Sequence, residues 1–79
     1  MQEWDSAVSS FQKGIQVCEE SNNQLTKAEI YYELGAMNRK RGEKKQASDY
    51  LQKALDIYGT LGIDKEMRKI KDEIREIVA

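Results

Sequence analysis

The chain of 79 residues has no histidine, no proline, one cysteine and no long apolar run. Each absence removes a class of protein. Without histidine the commonest general base and the commonest metal ligand are missing. Without proline, a β-sandwich with its many turns is a poor match, whereas long helices tolerate 39% apolar and 34% charged residues. Cys18 alone cannot close an internal disulfide, and a lone thiol suits a reducing, cytoplasmic setting. No apolar stretch approaches the ~20 residues of a transmembrane helix, and no basic-then-apolar leader pattern opens the chain. Excess charge is lacking too. With 13 basic and 14 acidic residues the net charge is −1, which gives no global field to draw in nucleic acid or an anionic membrane.

What is present is helical periodicity, clearest in residues 28–59. Ala28, Tyr31, Leu34 and Gly35 fall on one face of a helix at i, i+3, i+6 and i+7. After Gly42, Ala47, Tyr50, Leu51, Ala54, Leu55 and Tyr58 recur at the spacing of a broad apolar stripe. Gly35, Ala47 and Ala54 are small where large side chains would hold the two helices apart, so close antiparallel packing follows.

These residues resemble the tetratricopeptide repeat (TPR) family. Its loose motif runs aromatic, Leu-Gly, turn glycine, Ala, large apolar, Ala, and Tyr31, Leu34–Gly35, Gly42, Ala47, Leu51 and Ala54 fill those places in order. Asn38 stands where the family has an aromatic, and Gly59 where proline often ends the second helix. The resemblance implies an all-α chain of antiparallel helix pairs, stacked as a right-handed solenoid fragment of four helices that binds proteins.

The remaining helices follow from an internal repeat at an offset of forty residues. Residues 3–20 read as the second helix of an incomplete repeat: Ala7 matches Ala47, and Phe11-Gln12-Lys13-Gly14-Ile15 matches Leu51-Gln52-Lys53-Ala54-Leu55. Ser21 to Gln24 form a turn, with Asn23 a candidate N-cap, or Thr26 with Glu29 a capping box. Residues 25–58 form the complete repeat, its helices at 25–41 and 43–58 separated by Gly42 as a C-terminal stop. Gly59 to Gly62 read as the second turn, and Asp64 as the cap of a fourth helix over 65–78. In that helix Ile70, Ile74 and Ile77 match Ile30, Leu34 and Met37, but Arg75 replaces Gly35, so it resembles the polar cap of a solenoid. The whole chain is one domain, and its period resembles the long-repeat subgroup of the family. Trp4, Phe11, Tyr31, Leu34, Leu51, Leu55, Ile70 and Ile74 are expected to be largely buried.

No constellation for chemistry emerges, and neither an enzyme nor a cofactor is expected. Cys18 lies on the apolar stripe of the first helix, as a buried small hydrophobe rather than a nucleophile. The carboxylate pairs Glu19-Glu20 and Asp72-Glu73 are adjacent on helices and so diverge into solvent. The basic run Arg39-Lys40-Arg41 with Lys44-Lys45 reads as a helix end meeting its dipole, since no aromatic interleaves it and Glu43 interrupts it.

The family's inner surface, carried over by position, comprises Glu29, Tyr32, Glu33, Ala36, Arg39 and Lys40 on the second helix. On the fourth it comprises Lys69, Asp72, Glu73 and Glu76. Tyr32 beside Ala36 should frame a shallow pocket for a protein or peptide. The alternatives are a structural helical domain that self-associates and, less favoured, a small RNA-binding adaptor. The chain opens on the second member of a helix pair, so part of the Trp4, Val8, Phe11, Ile15 stripe needs cover. Either upstream helices of a longer array supply it, the favoured reading, or two copies meet as a homodimer through their first helices.

Overall fold

The computed structural model describes residues 2–78, with side chains from Ser6 onward. Four helices follow one another: α1 (Gln2–Ser21), α2 (Gln24–Lys40), α3 (Lys44–Leu61) and α4 (Asp64–Val78). Among the described residues there is no strand.

The three connections are built alike. Asn22, Gly42 and Gly62 take φ of 58°, 82° and 74°, and each ends the helix before it in the left-handed conformation. The residue that follows donates its N–H back five residues: Asn23 to Cys18 at 2.8 Å, Glu43 to Asn38 at 2.9 Å, Ile63 to Tyr58 at 3.0 Å. This is the Schellman arrangement, which satisfies carbonyls left over at a helix end. Glycine adopts it without steric cost, and asparagine is the side chain that tolerates it next best. The turns thus recur at 22, 42 and 62, and two such intervals make the forty-residue offset seen in the sequence.

Helix starts divide. Asn23 caps α2 as expected, its Oδ1 accepting the Thr26 N–H at 3.2 Å. Glu43 precedes α3 with no side-chain cap bond. Asp64 is not the cap of α4: the Ile63 carbonyl accepts the Met67 N–H at 3.2 Å, which puts Asp64 inside the first turn. There its charge, with that of Glu66, faces the positive end of the helix dipole. A further correction concerns Gly59, Thr60 and Leu61, which continue α3 instead of forming the turn. Gly62 alone of the glycine pair takes positive φ, so the helix runs on to meet it.

Extensive packing joins only chain neighbours: α1 with α2, α2 with α3, and α3 with α4. The first and fourth helices do not close into a bundle. The Cα trace measures 34 × 32 × 14 Å, a slab instead of a ball. Its core runs through α2, α3 and α4. Ala28, Ala47, Ala54, Leu34 and Ile70 are fully buried, with Leu51 at 1% and Tyr58 at 4% exposure. Small residues bring α2 and α3 together as anticipated. A Cβ on Gly35 would lie 2.7 Å from Leu51 Cγ and 3.2 Å from the Ala47 carbonyl oxygen.

Burial departs from expectation along the outer faces. Leu34, Leu51 and Ile70 are inside, but Phe11, Tyr31, Leu55 and Ile74 are only half-buried. In so thin a slab a helix is covered on one flank and open on the other, so a broad stripe is buried only in part. Trp4 lies outside the described side chains. α1 attaches to α2 through Ile15 and Cys18, which are 9% and 5% exposed, and through a Glu19–Lys27 ion pair at 3.7 Å. Ile15 is therefore already covered within the chain and is withdrawn from the self-association stripe; Val8 and Phe11 stay half-exposed.

Candidate partner-binding face

Alternation of helix direction places α2 and α4 on the same side of α3, both pointing the same way. Their facing side chains meet. The Tyr32 hydroxyl on α2 donates to Glu73 Oε2 on α4 at 2.8 Å. Arg39, two turns further along α2, reaches Glu73 at 3.9 Å and Glu76 at 3.1 Å. The Lys69 ammonium lies 5.0 Å from the centre of the Tyr32 ring, within reach of a cation–π attraction. Five of the ten residues assigned to this surface by position thus form one network between two helices. Arg39 is turned to carboxylates, so the basic run does not present a free row of cations.

The other five are spread around it. Glu29 and Glu33 are exposed in the first half and at the middle of α2, and Lys40 is exposed at its end. Asp72 pairs instead with Arg75 at 3.7 Å, one turn along its own helix and well out in solvent. Ala36 is half-buried and lines no cavity described here. Tyr32 instead lines a hollow toward the start of α2, while its hydroxyl is bonded to Glu73 and the Lys69 ammonium lies over its ring.

That hollow is a groove of about 580 Å³. Leu25, Ile30, Tyr58 and Ile63 supply its apolar lining, and Glu29, Glu33 and Glu66 its carboxylates. The electrostatics report the same enclosure. Burial, the hydrogen bond to Glu73, and the charges of Glu73, Glu33 and Glu66 push the Tyr32 phenol from 10.0 up to about 12. Burial first, then Glu29 and Glu66, raises the Tyr58 phenol above its ordinary value as well. Leu25, Ile63 and Glu66 escaped the sequence reading, which took Tyr58 only as a stripe residue; the signal was a leucine just past the Asn23 cap and an isoleucine just past Gly62.

A second, larger hollow of about 750 Å³ opens on the other side of the slab, between α1 and α3 and the end of α2. Val8, Asn38, Tyr50 and Gln52 line it with the mixed charges of Arg41, Asp49 and Lys53. Here Tyr31 and Tyr50 stack with ring centres 6.2 Å apart, and the Lys53 ammonium lies 5.5 Å and 5.7 Å from the two. Asn38, the departure from the aromatic pattern, is 3% exposed and spends its amide on the Leu34 carbonyl at 2.9 Å. It fills its place by bonding its own helix.

Among the described residues no three His, Cys, Asp or Glu side chains are placed to hold a metal ion, and Cys18 is buried as a free thiol. No helix of the described chain is long and apolar enough to cross a membrane.

Comparison with known proteins fixes the family. No curated protein and no solved structure matches the chain. A tetratricopeptide-repeat family model matches residues 1–60, which takes in α1, α2 and nearly all of α3. The aromatic, Leu-Gly, turn-glycine and alanine positions lie within that span and perform the close packing described above; the chain belongs to the tetratricopeptide repeat family.

Proposed function

We propose that the chain is a non-catalytic protein-interaction module that takes a peptide or partner helix on the face shared by α2 and α4. Family membership makes protein–protein interaction the class of function. One observation carries the choice of face. Five of the ten residues assigned to it by position, Tyr32, Arg39, Lys69, Glu73 and Glu76, meet in one network beside a groove with apolar lining. A rigid, partly buried tyrosine held by a neighbouring helix is the kind of preorganised contact on which interfaces concentrate their energy. The recurrence of alternate turns, Asn22 and Gly62, at forty residues supports placing the chain in the long-period subgroup. The setting that suits the lone reduced thiol is the cytoplasm.

The test is selection from a random peptide library against the whole chain, with the bound peptide mapped by amide chemical shifts. Shifts centred on α2 and the start of α4, weakened by Tyr32→Ala, are the expected result. Peptides that map to the hollow between α1 and α3 would overturn it.

A second reading, self-association through α1, rests on a separate observation. α1 packs extensively only against α2, and Val8 and Phe11 are left half-exposed. A second copy or a further helix laid on that flank would cover them.

A further inference from the structure

The α2–α4 groove has a chemical character that narrows its partner. Its lining is apolar, with Leu25 46% exposed and so available to a ligand, whereas Tyr58 forms a buried floor at 4%. Around this lining stand Glu29, Glu33 and Glu66. Three of the cations nearby are occupied elsewhere: Arg39 by Glu73 and Glu76, Lys69 by the Tyr32 ring, Lys27 by Glu19. None of the three groove carboxylates forms an ion pair with a described residue. Their charge is nevertheless felt inside, since Glu33 and Glu66 raise the Tyr32 phenol and Glu29 and Glu66 the Tyr58 phenol. The molecule as a whole is close to neutral, so this is a local field and not a general one.

We infer that the groove lined by Leu25, Ile30, Tyr58 and Ile63 takes a protein segment in which apolar side chains are interleaved with arginine or lysine. The inference rests on the reading of this face as the binding surface and adds the sign of the partner's charge. An apolar side chain enters over Leu25 and Ile63, and flanking cations meet Glu29 and Glu33 on one wall and Glu66 on the other. Desolvated apolar contact supplies the affinity. The three carboxylates supply specificity, because an acidic segment would set like charges against each other across a partly dry groove. An RNA or an anionic membrane is disfavoured by the same field.

The experiment uses the full chain and three short blocked peptides on a serine background. One carries leucine and arginine, one leucine and glutamate, and one arginine alone. The expected result is binding of the leucine–arginine peptide, with shifts at Leu25, Glu29, Ile63 and Glu66 and an affinity that falls as salt is raised. The leucine–glutamate peptide should bind at least about tenfold more weakly. Replacing Glu29, Glu33 and Glu66 together by glutamine should abolish that discrimination with the fold retained, the melting midpoint falling only by the small amount that Glu66 contributes at the start of α4. Leu25→Ser should weaken the leucine–arginine peptide and leave the arginine-only peptide, already weak, unchanged. Equal binding of the two leucine peptides in this groove would overturn the inference and leave the face assignment intact. Binding mapped to the α1–α3 hollow, or no binding, would overturn it as well; the first of these also removes the face assignment.

Discussion

Tyr32 and Glu73, 41 residues apart in sequence, are joined by a 2.8 Å hydrogen bond from the phenol to the carboxylate, the shortest polar link between α2 and α4. Burial of the ring first, and then this bond, make the native state hold the Tyr32 proton more tightly than the unfolded chain does. With the phenol raised from 10.0 to about 12, its stabilising contribution is fully present below pH 10 and is lost as pH climbs through about 12. Tyr32→Phe should cost about 1 kcal/mol near neutral pH. That difference from the parent chain should shrink steadily above about pH 10, read from urea midpoints across a pH series. A difference that stays constant to high pH would mean that the phenol titrates as it does in water.

The glycines of α2 and α3 should respond to alanine in opposite directions. At Gly35 the new methyl would meet Leu51 Cγ at 2.7 Å and Cδ2 at 2.8 Å, so overpacking of about 1–3 kcal/mol exceeds the ~1 kcal/mol of helix propensity gained. At Gly59 the nearest atom is Met67 Cε at 3.5 Å, an ordinary contact. Gly59→Ala should therefore stabilise by about 0.5 kcal/mol or more. Thermal midpoints of both variants check this; a loss at Gly59 would argue that the helix ends before it.

Ala54 is fully buried, and its neighbour Lys53 is exposed. Ala54→Leu should cost roughly 1–3 kcal/mol by forcing neighbouring helices apart. Lys53→Leu should change stability far less, since the stem already lies along the Tyr31 and Tyr50 rings and only a solvated cation–π contact is lost. Equal falls in the melting midpoint would show that the face of α3 has been misassigned.

If α1 is the self-association surface, light scattering should show a mass that rises with concentration and changes little with salt, as expected of apolar contact. Phe11→Glu should return the chain to the mass of one copy while the far-ultraviolet circular dichroism stays helical. A single-copy mass at high micromolar concentration, with slow amide exchange along residues 7–18, would show that α1 needs no further cover.

The helices and their order could be read because alanine, glycine and large apolar residues recur at helical spacing, and because the stretch from Glu3 to Val17 echoes the one from Glu43 to Ile57. The end of α3 could not. Gly59 and Gly62 look alike in sequence, and only the backbone shows which of them takes positive φ. Half-burial of Phe11, Tyr31 and Ile74 was hidden for a related reason. An apolar stripe tells which way a side chain faces but not how wide the neighbouring helix is. On the α2–α4 face, Tyr32, Arg39 and Glu73 could be placed by their register along each helix. The pairing between them, and the groove beyond the ring, depend on how far apart α2 and α4 stand, which no periodicity encodes.

The restriction of extensive packing to consecutive helices also bears on how the chain reaches this structure. No contact of the core requires the two ends of the chain to find each other. The segments that pack extensively are separated by one short turn, so each of these closures confines little chain and sacrifices little entropy. Folding can begin where the α2–α3 pair closes around Gly42 and extend outward one helix at a time, each step docking on a surface already in place. A chain assembled from such short closures belongs to the fast end of the kinetic scale, and its slowest event is the first pairing and not the last.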